Sequence, residues 1–466
     1  MVDINLKDED QKEESLLKDT VGYGMGGLGL NIGIAGLMTF LTFFYTDYLL
    51  IPAAAVSWIM LGTKIIDAIT DVMVGFLIDR TSTKWGKIRP WILWFSIPGC
   101  ISVAAMYYVP QSFGTDGRVW YAFITYNLVA FFYQTCLNLP MAALVTVLTP
   151  DPKKKLKINK VYGMCTTTAG VLINLFAAKI MALFGGGAVG YFRYFATLAA
   201  LGCVLMLACF ALTKERTGYV RKAKVPLIPG LKAYAKNRYA ILFTLSSIFA
   251  SCTTSCWSAC SYFCIYYLNG QVSAGAVMSL MWGGITIGTF VCAPFVKDLA
   301  KGKACGIGYF IQVFGSILLA LAPRSLAMIW ISTFFRAFAA GPGSGAAGAL
   351  LADVIDYGEW KTGLRTEGLL SSGRSFGSKL GNALGAALVA QILAMGGYVG
   401  GAAEQTASAM TSIGICFIYL PMFWSALLAI MFLLIGKVET IAPKIREDLK
   451  NNRLADGSER ANTSVA

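Results

Sequence analysis

The sequence predicts an all-α membrane protein with twelve transmembrane helices in two six-helix bundles. Hydrophobic residues make up 56% of the 466-residue chain and charged residues only 14%. The mean hydropathy is +0.62, a value typical of a protein that lies in lipid. Charge clusters and turn residues separate twelve apolar spans, nearly all of which reach the roughly 20 residues that a transmembrane helix needs. The spans are 21–49, 53–78, 88–109, 119–146, 160–184, 193–213, 239–268, 272–297, 304–322, 326–355, 366–396 and 411–436.

A long basic segment between the sixth and seventh spans divides the chain into two halves. This segment contains Pro226 and Pro229, and six spans lie on either side of it. Such a layout is expected for a transporter made of two bundles joined by a linker. We therefore predict, in order, an N-terminal segment, a first bundle, a linker, a second bundle and a tail. Their limits are 1–20, 21–213, 214–238, 239–436 and 437–466.

Basic residues are concentrated in alternate loops, beginning with the loop after the second span. Because basic loops stay on the cytoplasmic side of a membrane, we expect the linker and both termini to be cytoplasmic. The net charge of +14 then reflects membrane topology and not a surface for nucleic acid. The first 20 residues are hydrophilic, so we expect the first span to be an uncleaved targeting signal for a bacterial-type inner membrane.

Residue composition also excludes several kinds of chemistry. The chain contains no histidine, which excludes an imidazole metal site, a histidine base and a histidine proton relay. The helical spacing of Cys252, Cys256, Cys260 and Cys264 inside one span is typical of helix packing. No set of nucleophile and base is recognisable. We therefore expect a protein that is not an enzyme and that needs no cofactor.

Two acidic residues inside the second span are the best indication of function. Asp67 and Asp71 are four residues apart, so a helix presents both carboxylates on one face. A carboxylate in the middle of a bilayer costs roughly 2.5–3.5 kcal/mol on insertion scales, and two neighbouring carboxylates repel each other. A positive charge is therefore expected between them. The alternative is a purely structural ion pair with Lys64, one turn earlier in the same span.

Six sequence motifs, spread in order over both halves, carry a family resemblance. They are Tyr23–Gly26, Tyr45–Asp47, Asp67–Asp71, Asp79–Trp91, Asn138–Pro140 and Ala352–Lys361. Together they closely resemble the glycoside-pentoside-hexuronide:cation symporters, a family of the major facilitator superfamily typified by melibiose permease. The resemblance implies two six-helix bundles around a central cavity that opens alternately to the two sides of the membrane. It also implies symport of a glycoside, pentoside or hexuronide with Na+ or H+.

By this resemblance, the cation site consists of Asp67, Thr70 and Asp71 on the second helix and Thr135 on the fourth. Melibiose permease carries asparagine where this chain has Thr70, so one amide oxygen is replaced by a hydroxyl. Enough hard oxygen ligands remain for Na+, while H+ and Li+ become credible alternatives. Without histidine, coupling to H+ falls to Asp67 or Asp71.

The expected sugar site departs further from melibiose permease. Asn31 and Asn138 stand where that protein has acidic residues, Ala142 and Ser344 stand where it has tryptophans, and Lys379 is retained. Arg374 replaces a glutamine, so the pocket is expected to be more positive and to suit an anionic sugar held by Arg374 as a carboxylate clamp. The alternative is that Arg374 snorkels to the membrane surface or pairs with Asp353 or Glu367. A neutral glycoside or pentoside remains an alternative substrate. The expected substrate-binding residues are Asn31, Asn138, Ala142, Ser344, Arg374, Ser375 and Lys379.

Charged residues at the cytoplasmic ends of the second, tenth and eleventh spans suggest a gate that latches the halves in an outward-open state; solvated loop charge is the alternative. The gate residues are Asp79, Arg80, Asp353, Asp356, Glu359, Arg365 and Glu367.

The expected partners are a small sugar, a monovalent cation and membrane lipid, with no nucleic acid, and the protein is expected to be a monomer. A lipid or lysolipid transporter of related architecture is the alternative function.

Overall fold

Long helices account for most of the chain, which we describe from a computed structural model. The structure describes residues 2–109, 112–149, 151–216, 227–296, 299–402 and 404–463, and within these ranges it contains no β-strand. Besides a short helix at Leu227–Lys236, these ranges contain twelve long helical segments. In chain order they are α1 (Leu16–Tyr48), α2 (Ala53–Arg80), α3 (Arg89–Met106), α4 (Thr115–Leu148), α5 (Lys157–Leu183), α6 (Gly187–Leu212), α7 (Arg238–Tyr267), α8 (Ala274–Val296), α9 (Lys301–Leu321), α10 (Leu326–Thr362), α11 (Glu367–Met395) and α12 (Ala407–Leu449).

Ten of these helices are long and apolar enough to cross a membrane. The remaining two, α2 and α3, lie between the first and second members of that set. Helix α2 is 28 residues long but carries Lys64, Asp67 and Asp71 in its middle, whereas α3 has only 18 residues and contains Pro98. The architecture is therefore compatible with the twelve spans that the sequence predicts.

Two groups of six helices are packed side by side. In the first group α1 packs against α5 and α6, and α3 packs against α6. In the second group α7 packs against α11 and α12, while α9 packs against α10 and α12. The groups meet mainly through two helix pairs, α2 with α11 and α5 with α8. Any cavity on the central axis is thus bounded by helices of both groups, which we call the first and second bundles.

Several helices change their winding within the membrane. Helix α4 contains a π-helical turn at Val129–Thr135. In α7 a 3-10 segment at Cys256–Ala259 precedes a π-helical turn at Phe263–Tyr267. Neither Val129–Thr135 nor Cys256–Ala259 contains proline or glycine, so the usual signals of a helix break are absent from both. Irregular turns of this kind are frequent at functional sites because they redirect side chains.

Glycine allows the close packing of α7 against α11. A Cβ atom added at Gly381 of α11 would overlap the carbonyl oxygen of Ile248 in α7. No heavy atom lies within 4 Å of the equivalent position at Gly368 of the same helix. The backbones of α7 and α11 therefore approach each other more closely at Gly381 than any side chain would permit.

We expect Gly381→Ala to lower the free energy of unfolding by about 1–3 kcal/mol, because the new methyl group forces α7 and α11 apart. The matched control Gly368→Ala adds the same group to the same helix where space is open. Melting midpoints of the purified variants in lipid nanodiscs provide the measurement. Equal midpoints for the two variants would contradict this account of the packing.

Candidate functional site

A central cavity of about 320 Å³ lies between the two bundles. Both bundles contribute to its wall, and polar side chains predominate on the side of the second bundle. The first bundle contributes Ile34, Leu37, Leu41, Thr42, Met60, Lys64, Tyr126, Gln134 and Asn138. The second contributes Ser255, Ser258, Ser375, Ser378, Lys379, Asn382 and Ala386.

The two carboxylates of α2 lie beside this cavity and share one hydroxyl group. Thr135 Oγ1 of α4 is 2.8 Å from Asp71 Oδ1 and 3.2 Å from Asp67 Oδ1. The side chain of Asp67 is 1% exposed and that of Asp71 is 17% exposed. The helical spacing of the two residues and the π-helical turn that ends at Thr135 thus bring three oxygen-bearing side chains together.

Two lysines compensate the negative charge of the carboxylates. Lys379 of α11 forms an ion pair with Asp71, and its Nζ lies 3.6 Å from Asp67 Oδ2. Lys64, one turn before Asp67, lies 3.7 Å from Asp67 Oδ2 and donates a hydrogen bond of 3.2 Å to Gln134 Oε1. Buried charges are tolerated when they are paired in this way. The pair with Lys64 exists, but Lys379 from the other bundle contacts both carboxylates.

Thr70 has a different local role from Thr135. Its hydroxyl donates a hydrogen bond of 3.0 Å to the carbonyl oxygen of Asp67, inside the same helix. A serine or threonine that binds back to its own helix leaves its oxygen lone pairs available but turns its hydrogen toward the backbone. The structure therefore brings together Asp67, Asp71 and Thr135 of the expected cation set, with Thr70 beside them.

The expected substrate residues separate into two groups. Asn138, Ser375 and Lys379 line the cavity. Asn31 is buried and donates to the carbonyl oxygen of Thr166. Ala142 and Arg374 are exposed and do not belong to the cavity wall. The side chain of Ser344 lies outside the described part of the chain.

Helix geometry explains why Arg374 and Ser375 differ. The cavity residues of α11 follow the spacing of one helix face, i, i+3, i+4 and i+7. Arg374 lies about 100° from its neighbour Ser375 and one turn before Ser378, at the edge of this face, and it does not line the cavity. Its role as a carboxylate clamp stays a prediction. The face consists of Ser375, Ser378, Lys379, Asn382 and Ala386.

Sequence reasoning missed several polar residues of the wall. Gln134 and Tyr126 lie on α4, Asn382 lies on α11, and Ser255 and Ser258 lie on α7. A polar side chain inside an apolar span was the available signal, because such residues usually face the interior of a bundle. The 3-10 winding of α7 gave no signal in the sequence. Its three residues per turn place Ser255 and Ser258 on one side of the helix.

The two bundles also meet around Asp47, at the end of α1 that lies away from the linker. We call this end of the molecule the opposite face. Tyr398 OH lies 2.9 Å from both carboxylate oxygens of Asp47, and the backbone N–H of Gly401 donates to Asp47 Oδ1 at 3.1 Å. Next to it, the hydroxyls of Thr46 and Tyr262 are 2.8 Å apart. The second bundle thus covers the end of α1 with uncharged donors.

The charges expected to form a gate lie at the other end, the basic face. Arg365 pairs with Asp356 at 3.1 Å, with Glu359 at 2.7 Å and with Glu367 at 3.7 Å, and hydrogen bonds to Glu359 and Asp356 raise the pKa of Arg365. Asp353 pairs with Lys301 and Arg446. All of these residues belong to the second bundle.

Arg80 is the first-bundle member of the expected gate whose side chain the structure describes. Its guanidinium lies over the ring of Phe76, 4.0 Å from the centroid, whereas the side chain of Asp79 lies outside the described residues. The described ion pairs of this face do not link the bundles, which approach each other at the opposite face in this conformation. The latch, which was expected for an outward-open state, stays a prediction.

Comparisons with known proteins agree with the membrane architecture. The family model described as MFS/sugar transport protein matches residues 22–436. An isoprimeverose transporter of Lactiplantibacillus pentosus is 31% identical over 448 residues, which cover 93% of this chain and 92% of that protein. A putative glycoside/cation symporter of Escherichia coli (strain K12) is 27% identical over 453 residues, which cover 95% and 96%.

Solved structures share the fold at low sequence identity. A nucleoside transporter, in a mutant form, superposes with a TM-score of 0.64 at 13% identity and covers 90% of this chain and 99% of its own. A bacterial homologue of the lysosomal transporter Spinster, in an inward-facing conformation, gives a TM-score of 0.62 at 16% identity, with coverage of 93% and 97%. At such identities the likeness concerns the fold alone.

We expect Thr135→Val to weaken the binding of a monovalent cation about fivefold, which corresponds to the loss of roughly 1 kcal/mol from one oxygen contact. The matched variant Thr70→Val removes a hydroxyl that is bound to its own helix, so its effect should be smaller. Na+-dependent shifts of the melting midpoint measure both affinities. An equal loss in the two variants would contradict the assignment of Thr135 as the closer ligand.

Proposed function

We propose that this chain carries a neutral glycoside together with Na+. The chain belongs to the MFS sugar transport proteins and is a secondary sugar transporter. Within that group it is a glycoside-pentoside-hexuronide:cation symporter, a transporter and not an enzyme. The observation that supports the coupling most directly is the contact of Lys379 with both Asp67 and Asp71. This contact joins the cation ligands to the wall of the sugar cavity.

The ligands favour Na+ over softer metal ions. Asp67, Asp71 and Thr135 offer carboxylate and hydroxyl oxygens, which are the hard ligands that suit an alkali-metal ion. Two carboxylates and two lysines are electrically neutral together, so an added Na+ leaves one excess positive charge unless an ammonium moves away. Na+ and Lys379 therefore compete for the same carboxylate oxygens.

This competition supplies a mechanism of coupling. Lys379 shares its helix face with Ser375, Ser378 and Asn382, so an ammonium displaced by Na+ lies next to the amide and hydroxyl groups of the cavity. In that position the ammonium of Lys379 donates hydrogen bonds to sugar hydroxyls. These hydroxyls replace the carboxylate acceptors that Na+ has taken from it. Sugar and Na+ then bind together more favourably than either binds alone. Coupling to H+, by protonation of Asp67 or Asp71, is the alternative.

The chemistry of the cavity supports a neutral substrate. Its charged side chains are engaged with one another, and the remaining polar groups are amides and hydroxyls. Arg374, the residue that motivated an anionic sugar, does not line the cavity. A neutral glycoside, such as the isoprimeverose in the name of the Lactiplantibacillus relative, fits this wall better than a hexuronide. The lipid alternative is less well supported, because the polar side of the wall offers lysine, amide and hydroxyl groups that suit sugar hydroxyls better than an acyl chain.

The orientation follows from the charge distribution. The linker and the basic loops lie at the basic face. Because basic loops stay on the cytoplasmic side of a membrane, we place this face in the cytoplasm. The contacts of Asp47 with Tyr398 and Gly401 then close the extracellular side. The conformation corresponds to the inward-open state of an alternating-access cycle.

We expect Asp67→Asn and Asp71→Asn to abolish Na+-driven accumulation, because each variant removes a cation ligand and leaves Lys379 with one carboxylate. Exchange of labelled for unlabelled glycoside across the membrane should survive in at least one of them. Uptake and counterflow in proteoliposomes measure the two activities, and Asp116→Asn, an exposed site at the start of α4, is the matched control. Normal Na+-driven accumulation in both variants would refute the cation site.

The charge of the substrate is testable through the membrane potential. One Na+ moving with a neutral sugar transfers one charge, and 100 mV contributes about 2.3 kcal/mol, or roughly 40-fold accumulation. One Na+ moving with a uronide transfers no net charge. We therefore expect a valinomycin-imposed potential to drive uptake of a neutral glycoside.

We also expect Arg374→Gln to leave the affinity for that glycoside unchanged, since Arg374 does not line the cavity. Ser375→Ala is the comparison on the neighbouring residue, which does line the cavity, and it should lower the affinity. Transport of uronides that is independent of the potential and lost in Arg374→Gln would establish the anionic substrate instead.

A further inference from the structure

A second charged site lies inside the second bundle, away from the central cavity. Arg336 of α10 is only 3% exposed. It follows Leu326, the first residue of its helix, by ten residues, which places it about 15 Å along the helix axis and near the middle of a bilayer roughly 30 Å thick. Neither its position nor its charge is used by the transport mechanism described above.

This arginine lacks the partner that a buried cation needs. Neither Nε nor Nη2 of Arg336 has a hydrogen-bond partner. Among the described residues no carboxylate forms an ion pair with it, whereas Lys64 and Lys379 both contact carboxylates. Its guanidinium lies 4.9 Å from the centroid of the Phe417 ring.

Two further unsatisfied donors share its helix face. Ser332 and Thr333 precede Arg336 by four and three residues, so they lie on the same side of α10. They are 0% and 1% exposed, and neither hydroxyl has a hydrogen-bond partner. Helix α9 packs here through Gly315, where an added Cβ would lie 3.0 Å from Arg336 Cγ and 3.0 Å from the carbonyl oxygen of Ser332.

We propose that Arg336, Ser332 and Thr333 form a binding site for a small monovalent anion, with chloride as its physiological occupant. The cluster provides a guanidinium and two hydroxyls, and no acceptor from the described residues satisfies Nε, Nη2 or either hydroxyl. Water would satisfy the hydrogen bonds but would leave the positive charge uncompensated in a medium of low dielectric. An anion satisfies both requirements, and a small one suits so closely packed a position.

The anion belongs to the second bundle and is not a coupled substrate. Its three donors all lie on α10, and the ring that covers the guanidinium lies on α12. None of them lines the central cavity. The site therefore stays intact when the bundles move relative to each other, and its occupancy stabilises the second bundle. This inference does not depend on the identity of the sugar or of the coupling cation.

The test compares purified protein in nanodiscs at constant Na+ concentration and ionic strength, with chloride replaced by methanesulfonate. We expect the melting midpoint to rise with chloride along a saturating curve, because a ligand that binds only the folded state stabilises it by mass action. Bromide should replace chloride. Arg336→Gln should abolish the dependence, and Ser332→Ala and Thr333→Val should each weaken the chloride affinity at least threefold.

Ser425→Ala is the matched control, because Ser425 is equally buried but its hydroxyl already donates to the carbonyl oxygen of Pro421. It should keep the chloride dependence of the parent protein. Equilibrium binding of radioactive chloride should give one ion per chain. A parent protein whose midpoint is indifferent to chloride would overturn the proposal. So would an undiminished dependence in Ser332→Ala and Thr333→Val, which remain decisive if Arg336→Gln fails to fold.

Discussion

The pairing of two buried carboxylates with a lysine from the other bundle is the interaction on which the remaining structure depends. Asp67 and Asp71 lie on α2, and Lys379 lies on α11, so the ion pair spans one of the two main contacts between the bundles. Carboxylates at this depth require a positive partner. Because that partner comes from the second bundle, any change in the charge of the two carboxylates also changes how α2 and α11 are held together. The charge of this site and the contact between the bundles are thus linked by the same three side chains.

The contact at the opposite face is of another kind. There Asp47 is held by hydroxyl and backbone donors of the second bundle, and the hydroxyl of Tyr266 approaches it at 3.4 Å. A hydrogen bond to a charged group contributes about 1.5–3 kcal/mol, and these donors carry no charge that would be left unpaired when the bundles separate. A direct ion pair between the bundles at this buried position would be harder to open. Ion pairs between the bundles at the centre and weaker hydrogen bonds at the opposite face are consistent with two bundles that rotate relative to each other about the centre of the molecule.

The sequence predicted the elements that depend on composition and periodicity. Apolar spans, the six-and-six division and the shared face of Asp67 and Asp71 all follow from local pattern. Helical phase alone does not decide the position of Arg374, because it lies one turn before Ser378 of the cavity face and is nevertheless not part of the cavity wall. Thr135 and Gln134 are different, because their orientation depends on a π-helical turn without proline or glycine. Such a turn is determined by packing between helices, which a single sequence does not display.

Helix α7 shows how one irregular segment serves two environments. Ser255 and Ser258 face the sugar cavity, and the hydroxyl of Ser255 lies 3.1 Å from the carbonyl oxygen of Asn382 on the face of Lys379. Cys256 and Cys260, which alternate with these serines along the chain, are fully buried in the apolar core of the second bundle, together with Phe417. The irregular segment that begins at Cys256 therefore presents hydroxyls to the cavity and thiols to the interior of its own bundle.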